Sequence, residues 1–238
     1  LLPKNLAAPS SVENKAFYAQ LEVDVTEKLR VSAEVRSQTD TISTSGTSTV
    51  TALGTVFTRP LNITQEFESV LPRFTANYNI NSDLMIYGVA AKGNKPGGVN
   101  TGVYSAIYTD AQVAEFERLS LVNFKEEEIW SYELGFKSEW YDKRLLVNAA
   151  AFYIDWTNQQ LTTTIAVPAT GRRDNVLGSL AFNTNAGQSE IKGLELNVVS
   201  KPMDWLELRL GYALQDTQIV SFINDDQADL YITAADIA

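Results

Sequence analysis

The feature that most constrains this chain is hydrophobicity with a period of two. Between Phe17 and Val25 the residues Phe17, Ala19, Leu21, Val23 and Val25 are apolar, and Tyr18, Gln20, Glu22 and Asp24 between them are polar. After Thr26-Glu27-Lys28 the alternation resumes, with Leu29, Val31, Ala33 and Val35 set against Arg30, Ser32, Glu34 and Arg36. A helix would scatter these charges around its circumference, whereas a strand sorts them onto one face. The unit is a hairpin, and it returns three more times. Phe74, Ala76, Tyr78 and Ile80 lead through Asn81-Ser82-Asp83 into Leu84, Ile86, Gly88 and Ala90. Trp130, Tyr132, Leu134, Phe136 and Trp140 alternate with Ser131, Glu133, Gly135, Lys137 and Glu139, then turn at Tyr141-Asp142-Lys143 into Leu145, Val147, Ala149, Ala151 and Tyr153. Leu194, Leu196 and Val198 turn through Lys201-Pro202-Met203-Asp204 into Leu206, Leu208, Leu210, Tyr212 and Leu214. Eight strands are predicted.

The connections alternate too. Turns within hairpins are short, whereas residues 37–66, 93–128 and 157–187 read as long loops between them. Soluble β-domains seldom carry several structureless loops longer than ~15 residues. Barrels of the outer membrane do so systematically, with short turns on the periplasmic side and long loops outside. Strands of ~9–11 residues match a tilted crossing of the hydrocarbon layer. The aromatic residues are expected to form girdles at both edges of an apolar band: Trp140, Tyr141 and Trp205 at the short-turn ends, Tyr153, Trp156 and Tyr212 toward the long-loop ends. Leu134, Phe136, Leu208 and Leu210 should then face lipid, and Glu133, Lys137, Glu207 and Arg209 the lumen.

Composition removes other classes. No stretch approaches the ~18 consecutive apolar residues of a membrane-spanning helix. With 29 acidic against 19 basic residues and a net charge of −10, the chain is poorly suited to neutralising phosphates, so no nucleic-acid partner is expected. It has no cysteine and no histidine, which removes disulfides, the usual zinc ligand sets and Ser-His or Cys-His catalysis. Leu1-Leu2-Pro3 opens the sequence without the charged and apolar regions of a secretion signal.

Few residues suggest chemistry of their own. Glu126-Glu127-Glu128, and Asp225-Asp226 with Asp229, lack calcium-loop spacing and read as solvated loop charge. Glu133 and Glu139 share a strand face but read as lumen charge near Lys137 rather than as paired catalytic carboxylates. Gly97-Gly98 is followed by no helix-opening phosphate loop. Thr109-x-x-Gln112, ahead of Val113, Phe116 and Leu119, predicts a capped short helix inside a long loop. Arg172-Arg173 reads as an exposed pair in another loop, although it could attract an anion.

Several stretches resemble the barrel of the TonB-dependent receptors, outer-membrane transporters of iron complexes and related solutes. Ala16-Phe17-Tyr18-Ala19-Gln20-Leu21 through Val25-Thr26-Glu27-Lys28-Leu29 resembles the strand and turn that precede a family Gly-x-Arg, with Arg36 matching and Glu34 in place of the glycine. Pro72-Arg73-Phe74 through Tyr78, then Tyr87-Gly88 through Lys95-Pro96-Gly97-Gly98-Val99-Asn100, resembles the strand into a Pro-Gly-Gly-x-Asn loop. Tyr132-Glu133-Leu134-Gly135-Phe136-Lys137-Ser138 with Asn148-Ala149-Ala150-Ala151-Phe152-Tyr153 resembles the family's most recognisable hairpin. Ile191-Lys192-Gly193-Leu194-Glu195-Leu196 and Leu210-Gly211-Tyr212 complete the set.

The resemblance implies an all-β, antiparallel up-and-down transmembrane barrel of ~22 strands plugged by an N-terminal domain. Residues 1–238 would be part of that barrel domain, about eight strands forming an open fragment, with the plug and closing strands absent. Tyr231-Ile232-Thr233-Ala234-Ala235-Asp236-Ile237-Ala238 lacks the aromatic that ends family barrels. The implied function is receptor and transporter, not enzyme, in the bacterial outer membrane. The implied partners are outer-membrane lipid, an extracellular small-molecule ligand such as a siderophore, and TonB through the missing plug. No catalytic, cofactor-binding or metal-ligating residue is expected, and the ligand-contacting residues are not assigned. The rival readings are a self-contained eight-stranded outer-membrane barrel and a soluble β-barrel or sandwich that binds a small molecule.

Overall fold

The computed structural model describes residues 4–7, 9–52, 54–167 and 178–222. Its strands are β1 Lys4–Ala7, β2 Ser10–Asp24, β3 Leu29–Ala52, β4 Thr55–Asn79, β5 Leu84–Lys95, β6 Gly98–Val99, β7 Asn123–Phe124, β8 Glu127–Trp140, β9 Leu145–Val167, β10 Gly178–Met203 and β11 Leu206–Phe222. A 3-10 turn at Thr101–Tyr104 and the helix α1, Asp110–Arg118, lie between β6 and β7. β1 and β2 both pair with β3, so they occupy one edge position; β4, β5, β8, β9, β10 and β11 follow in order, all antiparallel. The eight expected strands are therefore eight positions of a single meander.

Register divides the two faces as the alternation requires. Leu134 pairs with Gly88 and Ala151, and Ala151 with Leu194, which pairs in turn with Leu214. Directly opposed residues point to the same side of a sheet. Leu134 is 66% exposed, Leu194 53%, Leu210 59% and Phe17 70%. So much bared leucine and phenylalanine on one face has a stable home only in lipid. The other face takes Glu133, Lys137, Glu195, Glu207 and Arg209. From Tyr132 to Trp140 the band spans nine residues, or ~22 Å at ~3.3 Å per residue and ~40° of tilt, close to the apolar height of such barrels.

The polar face is the concave one. Segment 100–122 packs Val103, Ile107, Tyr108, Val113 and Phe116 into a cluster with Val50 of β3, Val167 of β9, and Leu180 and Phe182 of β10. A flat sheet would hold β3 and β10, five positions apart, at ~24 Å. Both reach one cluster because the wall curves around this face. The chain's dry core thus lies in the mouth of the lumen, not between two layers.

The short turns gather at one rim. Asn79 N donates to Lys28 O at 2.8 Å, Glu139 N to Asp83 O at 2.8 Å, and Lys201 N to Arg144 O at 2.7 Å. An Arg144–Asp204 ion pair at 2.9 Å joins the last two turns. Tyr141, Asp142 and Lys143 all take positive φ (53°, 53° and 66°) to reverse the chain. The last turn is narrower than the sequence suggests. β10 runs through Lys201 and Pro202 to Met203, past a register shift after Ser200, and only Asp204-Trp205 reverses direction.

Two of the three predicted long loops are strand. β3 and β4 continue to pair from Ser37↔Val70 up to Ala52↔Thr55, and β9 and β10 up to Val167↔Gly178. Strands of 23 to 26 residues replace the expected ~9–11. Above the lipid, water wets the outer face, so the apolar-polar contrast disappears while backbone pairing persists. Ser and Thr carry these extensions, and β-branched residues suit a pleated surface. Two aromatic positions also move. Trp156 pairs with Ile129 and Ser189 on the polar face, and Tyr212 opposes Leu196 in mid-band, short of the long-loop edge. Arg172-Arg173, Asp225-Asp226, Asp229 and Tyr231–Ala238 lie outside the described residues.

Among the described residues no pairing joins β1 or β2 to β11, so the sheet is an open arc. That pairing is what a closed eight-stranded barrel needs. A soluble sandwich would need a second sheet on the apolar face, and the only other sheet among the described residues is the β6–β7 pair.

Candidate ligand-facing surface of the lumen mouth

Polar side chains line the concave face and tighten where the wall divides. β4 and β5 pair only from Arg73↔Ala91 down to Asn79↔Met85. Above that point β5 leaves with β8 while β4 stays with β3, and the fork is filled by side chains. Asn94 Nδ2 donates to Ser69 Oγ at 2.7 Å and to Glu126 Oε2 at 2.8 Å, and Ser69 donates to the same carboxylate oxygen. Gln38 carries the web to β3 and β2: its amide donates to Asp40 Oδ2 at 3.0 Å and accepts from Arg36 Nε at 2.8 Å. Asn14 Nδ2 donates to Asp40 Oδ1 at 2.7 Å. Asp40 and Ser69 are each only 4% exposed. Buried polar groups are stable only when satisfied, and here they satisfy one another.

The three consecutive glutamates divide their work, which corrects their reading as solvated loop charge. Glu126 belongs to the fork. Glu127 is 3% exposed, receiving Trp156 Nε1 at 2.9 Å, Gln160 N at 2.9 Å and Lys95 Nζ at 3.0 Å. Glu128 pairs with Lys92 at 2.9 Å. Burial of a carboxylate is tolerable only with such a full set of donors. Trp156 thus serves this carboxylate from within the lumen instead of joining a girdle. The long-loop girdle is Trp130, Tyr132 and Tyr153, stacked on the outer face with centroids 5.9 and 6.2 Å apart.

The docked segment carries most of the exposed chemistry of the mouth. α1 starts as predicted: Thr109 caps it, exchanging bonds with Gln112 in a capping box, and Val113 and Phe116 turn inward. Leu119 instead ends the helix, 46% exposed. Asn100 fixes the base, with Nδ2 donating to the carbonyls of Leu121 and Asn183 and Oδ1 accepting from Asn183 N, each at 2.8 Å. Arg59, reaching from β4, holds the tip through Tyr108 O at 3.1 Å, Ser105 O at 3.3 Å and Asp110 at 2.6 Å. On the free side, hydrogen bonds from Arg118 hold the Glu115 carboxyl below its usual range. Burial, with Glu117 alongside, pushes the Tyr104 phenol up.

Lower in the lumen the predicted carboxylate pair does not converge. Glu133 accepts from the Tyr87 hydroxyl at 2.5 Å, and Glu139 pairs with Lys143 at 3.3 Å. Among the described residues no group of His, Cys, Asp or Glu is arranged to hold a metal. Gly97 and Gly98 lie against Phe67 and Phe124, with no phosphate cradle between them. Arg59 and Asn183 escaped sequence reasoning because their partners lie 21 to 83 positions away and no local pattern marks them; Asn100 stood in the Pro-Gly-Gly-x-Asn stretch, but its partners Leu121 and Asn183 lie 21 and 83 positions away.

An outward apolar band, a polar concave face and a mouth partly filled by a folded loop define the wall of a large outer-membrane barrel. The chain belongs to the family described as TonB dependent receptor-like, beta-barrel, matching it over residues 3–235. The ferric yersiniabactin uptake receptor FyuA from Yersinia pestis superposes with a TM-score of 0.65 at 22% identity, covering 91% of this chain and 29% of that one. The ferric-catecholate import receptor Fiu from E. coli K12 gives 0.59 at 19% identity, covering 90% and 29%. The siderophore receptor PiuA from Acinetobacter baumannii gives 0.59 at 17% identity, covering 90% and 26%. The chain therefore spans less than a third of the length of these receptors. Its family is one of transport receptors, and its place is the Gram-negative outer membrane.

Proposed function

We propose that this chain is part of the barrel wall of a receptor that captures a scarce solute outside the cell and imports it with energy delivered through TonB. A metal-chelating siderophore is the leading class of cargo. In this reading the plug that contacts TonB, and the strands that close the barrel, belong to the rest of the full-length protein. The observation that carries it is the concave wall itself. Charged and amide side chains face a lumen whose mouth is narrowed by segment 100–122, while lipid-compatible residues face outward. A purely structural barrel has no use for a deep polar mouth held by so many satisfied buried groups. The names of the similar solved structures, with ferric yersiniabactin, ferric catecholate and siderophore among them, support the class of cargo.

Uptake in a strain lacking the full-length gene tests the proposal. Restoring the gene should restore accumulation of a radiolabelled ferric siderophore from a panel, and deleting tonB should abolish it. Accumulation that persists without TonB would refute energy coupling. Failure across iron, copper and other chelates would refute this class of cargo.

A further inference from the structure

β4 carries a row of backbone groups that the fold leaves open. At its foot the directions of the amides are fixed: Asn79 N donates toward β3, to Lys28 O at 2.8 Å, and Ile80 N toward β5, to Leu84 O at 2.9 Å. Donors alternate between neighbours along an antiparallel strand, so odd-numbered residues of β4 serve β3 and even-numbered ones serve β5. Pro72 is even, and the β4–β5 ladder stops just below it, at Arg73↔Ala91. Without an N–H it cannot carry that ladder further. Pro60 is also even and opposes Thr47 without breaking the pairing with β3. Between the two prolines, Asn62, Thr64, Glu66, Glu68 and Val70 aim N–H and C=O into the fork. None of these backbone groups has a hydrogen-bond partner among the described residues.

Elsewhere above the membrane such edges are closed by side chains. Asn100 takes both backbone groups of Asn183, and Glu127 takes Gln160 N. No side chain does this for β4. The row runs ~30 Å at ~3.3 Å per residue, enough for one added strand. Its side chains say what that strand must carry. Glu66 and Glu68 stand exposed on the outward face, and neither has an ion pair among the described residues. Ile63 and Phe67, half-buried, line the inward face. A partner strand would therefore set basic residues outward and apolar residues inward. A second copy of this chain fits badly: pairing that uses the whole row centres on Glu66 and sets it against itself, and like charges directly opposed are destabilising.

We propose that the β4 edge from Asn62 to Val70 is a docking site for an extended peptide segment of an extracellular protein, alternating basic and apolar residues and added as a strand in the fork. Backbone bonds supply the attachment, and the two glutamates with Ile63 and Phe67 supply the choice of sequence. The inference rests on the membrane orientation above and is independent of the cargo.

The test uses the full-length receptor in detergent. The probe is a fluorescent peptide of about nine residues, the length of the row, alternating lysine with valine. Anisotropy should show it binding at least ~10-fold more tightly than its glutamate–valine counterpart. The same lysine peptide methylated on its backbone nitrogens should not bind, which separates strand addition from attraction between charges. Thr64→Pro removes an N–H from the open edge and none from the β3 ladder, and should weaken the lysine peptide ~5-fold or more. Glu66→Lys/Glu68→Lys leaves the backbone alone and should reverse the preference between the two peptides. Hydrogen exchange should slow at the even-numbered amides of 62–70 only when the lysine peptide is present. Equal binding of the two peptides to the wild type, binding that survives methylation, or protection of those amides before any peptide is added overturns the proposal.

Discussion

Tyr87 lies across Gly135 on the lumenal face: a Cβ on that glycine would stand 2.7 Å from the tyrosine ring and from Ala149 O. The two residues are direct partners between β5 and β8. Glu133 takes the tyrosine's hydroxyl proton bond, and Lys137 stands 5.5 Å from its ring centroid. Phe152 covers Gly193 in the same way one strand pair further on. A ring laid over a cross-strand glycine fills the space the missing side chain leaves. Replacing Gly135 with Val should therefore overpack the site and cost about 1–3 kcal/mol. Urea unfolding of the full-length receptor in vesicles measures this, and an unchanged midpoint would show that the ring is free to leave.

The two faces should answer oppositely to charge. Leu134→Arg puts a cation into mid-band lipid and should destabilise by about 2–4 kcal/mol. Lys137→Gln, three positions away on the lumenal side, should shift the same unfolding midpoint far less, because water and Tyr87 surround that site. Equal losses would mean that the faces are reversed.

The orientation is open to direct labelling in the full-length receptor once any cysteine outside this cysteine-free chain has been replaced. A cysteine at Gly54, the turn between β3 and β4, should react with a membrane-impermeant maleimide on intact cells. One at Asp142 should react only after the outer membrane is permeabilised. Labelling of both on intact cells would contradict the placement of the short turns.

Arg59→Ala should loosen the tip of the docked segment. It removes three bonds, one of them to a carboxylate, worth about 2–3 kcal/mol locally. Hydrogen exchange should accelerate across residues 103–116 while the β8–β9 ladder stays protected. Uniform acceleration over the whole wall would show that the segment is part of the global fold instead.

What could be read from the sequence followed the presence of lipid. Where one face meets hydrocarbon, apolar and polar residues must alternate, so the strands around Leu21, Phe74, Leu134 and Leu208 were plain. Where both faces meet water that demand lapses, and Ser37–Thr51 gave no periodic signal although its backbone is fully paired. The helix cap at Thr109 was legible because its partner is three residues away. Arg59 and Asn100 act across the fold, and Glu127 is buried by neighbours that the sequence leaves remote. Trp156 was misplaced because a tryptophan near a strand end serves a membrane edge and a buried carboxylate equally well.

The docked segment has a consequence for how such a receptor could change over generations. Everything that fixes it lies on its buried side or at its base: Val113 and Phe116 below, Asn100 and Arg59 at the ends. The side turned to the open mouth, with Ala114, Glu115 and Arg118, is exposed, and its one ion pair, Arg118 to Glu115, stays within the helix. In the proposed receptor, substitutions there would alter what a solute meets at the mouth without disturbing how the loop is held. A lineage could exchange one diet for another on this short helix while the wall around it stayed the same.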